Sequence, residues 1–327
     1  MHGWLVIDKP VGPGSTDIVS KVKRALREGG YPKLKVGHGG TLDPLASGVL
    51  PVALGEATKL AGRMLDADKV YEFAIRFGEE TDTLDAEGEV IATSEVRPSM
   101  SQIAAVLCAF AGEQEQVPPA YSAIKIGGKR AYDLARAGAE VEMNKRRVTV
   151  HELKVLPACG EGNQPQSGGG GSTQCAASAP LHHASHGPPP RAGEDQVTLS
   201  ARVSKGTYIR SLARDIAYAL ESVGHVTMLR RLKAGPFTLE SAISLDKLGE
   251  LAKARQLEQA LLPLTAGLDD IPALSVTPGQ AGLLRQGRKL AGIAAKPGLH
   301  LATEGSVPVA LVELSEGELR VVRGFNI

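Results

Sequence analysis

The sequence predicts an α+β protein, and two observations carry that expectation. Segments of alternating apolar and polar residues are interleaved with segments of helical period, without the regular strand–helix–strand alternation of a parallel α/β sheet. Of the 327 residues, 43% are apolar and 22% charged, the balance of a globular chain with a core to bury. No apolar run reaches the ~18 residues of a membrane span. The first ten residues, Met1 to Pro10, lack the basic stretch and small-residue cleavage site of a secretion signal. A cytoplasmic protein with no membrane partner is expected.

Taken in order, Trp4 to Ile7 reads as a strand that ends in the Pro/Gly turn from Pro10 to Gly14. Ser15 or Thr16 is placed to cap a helix whose Ile18, Val19, Val22 and Leu26 share one face, closed by Gly29 and Gly30. A glycine-rich loop follows at 37–48. From Val70 to Phe77 the residues Tyr71, Phe73, Ile75 and Phe77 alternate with Glu72, Ala74 and Arg76, a half-buried strand. Ser101 is placed to cap a helix through Ile103, Val106, Leu107 and Phe110. A short helix is expected from Ala131 to Ala137, strands at 147–156 and 196–204, and a helix from Ser211 that stacks Leu212, Ile216 and Leu220.

Residues 157–195 differ from the rest. Among these 39 residues are eight Gly, six Pro and a single large aliphatic, Leu181, too little apolar surface to offset chain entropy. A disordered loop between two strands is expected, and its His182, His183 and His186 are read as incidental. The C-terminal part reads as a linker-like 251–273, with Pro263 to Pro278 rich in Pro, Gly and Asp. A small β module follows at 274–327, in which Ala310–Leu314 and Leu319–Arg323 flank Gly317 as a hairpin.

Net charge is +1, but its distribution is uneven. Residues 1–42 carry seven Lys/Arg against three acids, and residues 202–235 carry seven against two. Residues 64–100 carry ten acids against three bases. If the two basic stretches meet in the fold they make a polyanion-binding face; if not, they are solvated helix faces. Cys108, Cys159 and Cys175 have neither CxxC nor metal-ligand spacing, so no structural metal or disulfide framework is expected.

The informative segment is Gly37-His38-Gly39-Gly40-Thr41-Leu42-Asp43-Pro44-Leu45-Ala46-Ser47-Gly48-Val49-Leu50-Pro51. Its glycines permit tight turning and close approach of backbone to a ligand. No Gly-Lys-Ser/Thr follows, so it is not a nucleotide triphosphate loop. Pro44 biases Asp43 towards an extended backbone. On spacing alone, Asp43 fits a loop nucleophile or base and equally a turn residue.

This segment resembles, nearly residue for residue, the signature G-H-x-G-T-L-D-P-x-A-x-G-x-L-P of the TruB family of bacterial tRNA pseudouridine synthases. Further marks follow in family order. They are Asp8-Lys9-Pro10 with Gly12 and Ser15, Gly55-Glu56-Ala57-Thr58-Lys59, Lys69-Val70-Tyr71, and Thr81-Asp82-Thr83 with Asp85 and Gly88. Val117-Pro118-Pro119, Tyr121-Ser122-Ala123, Lys205-Gly206-Thr207-Tyr208-Ile209-Arg210 and Leu229-Arg230-Arg231 complete them. The resemblance covers about residues 3–245 without the 157–195 insertion. Gly39 stands where many members carry Thr or Ala.

The resemblance implies the pseudouridine synthase fold, a mixed and mainly antiparallel sheet flanked by helices across residues 1–250, with 274–327 as a small RNA-binding, PUA-like module. It implies isomerisation of uridine 55 in the T loop of tRNA, in which C1′ moves from N1 to C5 without cofactor or metal. By the same resemblance Asp43 is the catalytic carboxylate, Arg210 its charged partner, and Tyr71 a catalytic residue that stacks on the flipped base and moves a proton as the product forms. Tyr208 and Leu229 line the uracil pocket, and His38 contacts the RNA. Lys9, Lys21, Lys23 and Arg231 are expected to hold phosphates, which position RNA without reading its sequence. A monomer acting on the T arm is expected. Two alternatives are the same chemistry on another RNA and a tRNA-folding chaperone that needs binding alone.

Overall fold

A computed structural model describes residues 1–139, 141–157 and 195–327. The segment expected to be a disordered loop lies outside the described residues except for its ends, as do His182, His183, His186, Cys159 and Cys175.

Strand β1 (Gly3–Lys9) buries Trp4 and Val6 on one side and Leu5 and Ile7 on the other. A strand apolar on both faces belongs inside a sheet covered on both sides. Helix α1 (Ser15–Glu28) and the short β2 (Val36–His38) lead to β3 (Ser47–Leu54), which runs antiparallel to β1 from Gly3–Leu54 to Lys9–Gly48. Next comes the strand Gly224–Ala234, parallel to β3, and then β4 (Lys69–Phe77), antiparallel to it. Gln196–Val203, Arg146–Val155 and Gly112–Gln116 continue the antiparallel order, and Ala242–Ile243 closes the far edge parallel to β1. The sheet is mixed and mainly antiparallel, with helices against it, as the resemblance implies.

Its first face carries the larger core. There Ile18 and Val22 of α1 meet Ile7, Leu50 and Phe73, with Leu212 and Ile216 of the helix Ile209–Ala219. On the second face Trp4, Val49 and Phe237 meet Leu301, Leu311 and Phe325 from the C-terminal module. That module is a five-stranded sheet in which Val307–Ser315 and Glu318–Gly324 form the expected hairpin. The two sheets therefore share one apolar cluster, and Lys59 Nζ donates to Gly324 O at 2.9 Å across the junction. Among the described residues no helix is long and apolar enough to cross a membrane.

Several local expectations need correction. Helix α1 is capped by neither Ser15 nor Thr16. Gly14 takes the cap position, with the Asp17 carboxylate accepting from its N–H at 2.9 Å, while the Ser15 hydroxyl is turned inward to the 39–46 loop. Ser99, not Ser101, caps the helix Met100–Leu107, in a reciprocal pair with Gln102. The helix expected from Ser211 begins at Ile209. The linker or helical connection expected at 251–273 is helical in part, over Leu245–Lys253 and Leu257–Ala260, and it is packed, not free. Leu257, Leu264 and Leu268 are buried, Leu262–Pro263 pairs with β1, and the Trp4 indole N–H donates to Leu264 O at 3.2 Å. Pro and Gly there punctuate tight turns inside the core instead of releasing the chain. Pro278 opens a helix at its first turn, where its missing N–H costs nothing.

Candidate active site

The loop between β2 and β3 carries Asp43, and its shape is set from below by three side chains. The Ser15 hydroxyl donates to Leu42 O at 2.9 Å and accepts from Leu42 N at 2.7 Å. Lys9 Nζ donates to the carbonyls of Pro10, Pro13 and Pro44 at 3.0, 2.8 and 3.2 Å. Arg231 donates from Nε to Val49 O at 2.8 Å, and from its two terminal nitrogens to Thr41 O and Gly40 O at 3.2 Å each. Carbonyls shielded from water need donors, and here two interior cations supply six hydrogen bonds to buried and part-buried ones. Gly48, at φ +100°, sits directly against the Arg231 backbone, where a Cβ would run into its carbonyl.

Lys9 and Arg231 are 0% and 1% exposed, which corrects the expectation that they hold RNA phosphates. Their charges face the backbone of the loop, and they position it. Burial pushes the Lys9 ammonium down to about 8, against the opposing pull of the Asp43 and Glu87 carboxylates.

Above this floor, Asp43 Oδ2 lies 2.8 Å from Arg210 Nη2. Arg210 is itself pinned. Its Nη1 reaches Asp85 Oδ2 at 3.2 Å and Thr83 O at 2.7 Å, and its Nη2 reaches Tyr121 O at 2.9 Å. The Arg210 side chain is 6% exposed and that of Asp85 3%, whereas Asp43 keeps 37% of its side-chain surface open. One guanidinium thus bridges a buried carboxylate and an accessible one, so that only Asp43 can meet a ligand. Charge-assisted bonds of this length hold the carboxylate oriented.

Asp85 had no role assigned from the sequence. The run Thr81-Asp82-Thr83 with Asp85 was the available signal. Its function is legible only once Arg210 is seen between the two acids.

A cavity of about 250 Å³ opens over Asp43 and is lined by Tyr71, Tyr208, Arg210 and Leu229 among others. The β2–β3 loop, β4, the stretch 203–208, the start of the 209–219 helix and the 224–234 strand converge here, with Leu65 and Ala123. Tyr71 enters from β4, where it pairs with Arg231 on one side and Ala201 on the other. Tyr208 is clamped by the Gln116 amide, which accepts from its N–H at 2.8 Å and donates to its carbonyl at 3.1 Å. The Arg146 guanidinium lies 6.0 Å from the centre of its ring. Burial raises the Tyr208 hydroxyl above its usual range, so it stays protonated at neutral pH. Lys69, not singled out as a site residue, also lines this cavity. Its ammonium donates to Leu65 O and Ala67 O, and burial with the nearby Arg231 charge pushes it down to about 8.

His38, Lys21 and Lys23 stand apart from this cavity. His38 is half-buried on β2, its Nδ1 without a partner among the described residues. Burial and the Arg231 charge lower its pKa and favour the neutral ring. Lys21 and Lys23 are exposed on α1. Among the described residues no group of three or more His, Cys, Asp or Glu is placed to hold a metal ion. What the arrangement offers is a fixed carboxylate facing an aromatic and aliphatic slot, where low polarity strengthens charge interactions.

The family model described as TruB family pseudouridylate synthase (N terminal domain) matches residues 24–164. The model for the tRNA pseudouridylate synthase B C-terminal domain matches residues 210–269. The tRNA pseudouridine synthase B of Novosphingobium aromaticivorans is 57% identical over 327 residues, covering 100% of this chain and 98% of that one. That of Zymomonas mobilis is 56% identical, covering 100% and 96%. Among solved structures, a chain of an H/ACA RNP bound to a substrate RNA containing 2′-deoxyuridine superposes with TM-score 0.67 at 23% identity, over 99% of this chain and 85% of that one. A chain of a Cbf5–Nop10–Gar1 complex gives 0.67 at 25%, over 99% and 84%. At that identity the solved structures bear on the fold alone. The full-length likeness to curated relatives, with the signature loop built around Asp43, goes further: the chain belongs to the TruB family of pseudouridylate synthases.

Proposed function

We propose that this protein is a tRNA pseudouridine synthase that isomerises uridine 55 of the T loop, with Asp43 as the catalytic carboxylate. The observation that carries this reading is the 2.8 Å Asp43–Arg210 pair at the floor of a cavity walled by Tyr71, Tyr208 and Leu229. The target base is stacked in the folded tRNA and must be extruded to reach Asp43. Tyr71 stacks on the flipped uracil, Tyr208 and Leu229 close around it, and Arg210 holds Asp43 in place at its side. The C1′–N1 bond breaks, C1′ joins C5, and the hydrogen on C5 leaves to water while N1 gains one. Atoms balance without any co-reactant. His38 contacts the RNA beside the loop, and the module from 274 onwards holds RNA away from the site. The protein acts as a monomer in the cytosol.

Substrate and product have equal mass, so the test is loss of the C5 hydrogen. Pure protein and an unmodified tRNA transcript carrying tritium at C5 of uridine should release about one equivalent to water. Carbodiimide adducts should map the product to one T-loop position. No release from any tRNA would overturn the catalytic reading, and release from scattered uridines would overturn the single-site reading.

A further inference from the structure

We propose that a second cavity, between α1 and residues 31–37, is a nucleotide-binding site for the RNA substrate: its rim takes phosphates and its floor takes one unpaired base. This rests on the reading that the chain binds RNA. The cavity measures about 680 Å³, against about 250 Å³ for the one over Asp43, and so has ample room for a nucleotide. Four cations line it, Lys23 and Arg27 from α1 and Lys33 and Lys35 from the connection to β2, and no acid does. All four are exposed, and among the described residues none pairs with a carboxylate. Four like charges around one concavity repel one another and favour an anion between them. Below the rim lie Leu26, Leu34 and Val36 with the Tyr31 ring, an apolar and aromatic floor on which a base can stack.

Its shape is preformed. The chain turns out of α1 through Gly30 at φ +68°, and Arg255 donates to Gly29 O at 3.1 Å and to Gly30 O at 2.8 Å. The Tyr31 hydroxyl accepts from Leu257 N at 3.0 Å, which fixes the ring.

Its place also suits an RNA already held at Asp43. Of its lining residues, Gly37 adjoins His38 and leads into the Asp43 loop, and Thr58 precedes the Lys59 that holds Gly324 of the C-terminal module. Ser15, at the start of α1, touches the Asp43 loop, and Lys23 lies eight residues further, about 12 Å along the helix at 1.5 Å per residue. The cavity thus shares chain segments with the candidate active-site loop and with the residue that holds the C-terminal module.

The test uses the full chain, an unmodified tRNA transcript, filter binding over a range of salt, and tritium release in the same samples. Lys33→Glu with Lys35→Glu should raise Kd at least about tenfold and flatten the log K against log salt slope by about two. Leu34→Trp fills the floor and keeps every cation; it should raise Kd about fivefold with the slope unchanged. Both variants should turn over saturating tRNA within about twofold of the unsubstituted protein. These positions are exposed or half-buried, and 4-thiouridine crosslinking to Tyr31 in the unsubstituted chain decides the matter should either variant misfold. Binding within twofold for both variants, with no crosslink, would overturn the site while turnover leaves the isomerase reading standing. Weak binding by the charge variant alone reduces the cavity to a phosphate rim and overturns the base-holding floor. Tight tRNA binding without tritium release overturns the catalytic reading only, and no tRNA binding at all overturns both.

Discussion

Residues 1–42 and 202–235 each carry seven cations, and the fold puts them to different uses. In the first stretch only Lys9 is buried; Lys21, Lys23, Arg24, Arg27, Lys33 and Lys35 are exposed, without a carboxylate partner among the described residues. In the second, five cations meet acids: Arg202 with Asp68, Lys205 with Asp66, Arg210 with Asp43 and Asp85, Arg214 with Asp215, and Arg230 with Asp8. Asp66, Asp68 and Asp85 belong to the acidic stretch 64–100, which the sheet brings against the second basic stretch. Of the fourteen cations that a joint basic face would draw on, five of the second stretch are thus matched by acids. A charge count along a chain measures potential for anion binding only after internal partners are subtracted.

The largest effect should come from the interior pair. Asp43→Asn keeps the shape of the side chain and removes its charge. Turnover should fall by more than about 10³-fold, while tRNA affinity stays within about threefold. Clear residual tritium release by a folded variant would move the catalytic role elsewhere.

A smaller effect belongs to the buried Lys9. Its folded-state pKa of about 8 lies below the ordinary value of 10.5, so between these pH values the unfolded chain binds a proton that the native state lacks. Stability should therefore rise as pH goes from 8 towards 10, by on the order of 2 kcal/mol, with Lys69 acting in the same sense. Urea unfolding midpoints at the two pH values measure it. Lys9→Met should flatten the rise, and an unchanged pH dependence in that variant would assign it to other groups.

Salt sharpens the contrast between the stretches directly. Replacing Lys21, Lys23 and Arg24 by Ala should weaken tRNA binding and flatten the salt slope by about 0.9 for each phosphate that is no longer neutralised. Replacing Arg202 and Lys205, which already have acidic partners, should change the slope by less than about one. Equal changes from both sets would mean that the internal ion pairs open when RNA binds, since exposed pairs contribute only about 0–1 kcal/mol.

Much of the candidate site was legible because its residues lie in one local run. The stretch from Gly37 to Pro51 marks its loop by its glycines, its acid is named only by the resemblance to the family signature, and strand alternation places Tyr71 on a half-buried face. Asp85 was harder to read, since an acid in a polar turn looks solvated until Arg210 is found beside it. The Pro263–Pro278 stretch misled for a related reason: Pro and Gly mark turns equally well on a tether and in a core, and Leu264 and Leu268 are buried only because Trp4 lies opposite.

By itself the sequence determined what depends on neighbours within a few residues. The two-residue and 3.6-residue periods placed the main strands and helices, and the glycines of the 37–48 run marked a loop that must turn tightly. Only the tertiary structure decided which charges lie inside. Lys9 has the composition of a surface residue, yet Pro44 O, 35 residues away, needs its proton. Arg231 serves Gly40 and Thr41 from 191 and 190 residues off. The reason is physical: a carbonyl shielded from water must find a donor, and which donor comes within reach of it is set by strand order, a property of the whole sheet.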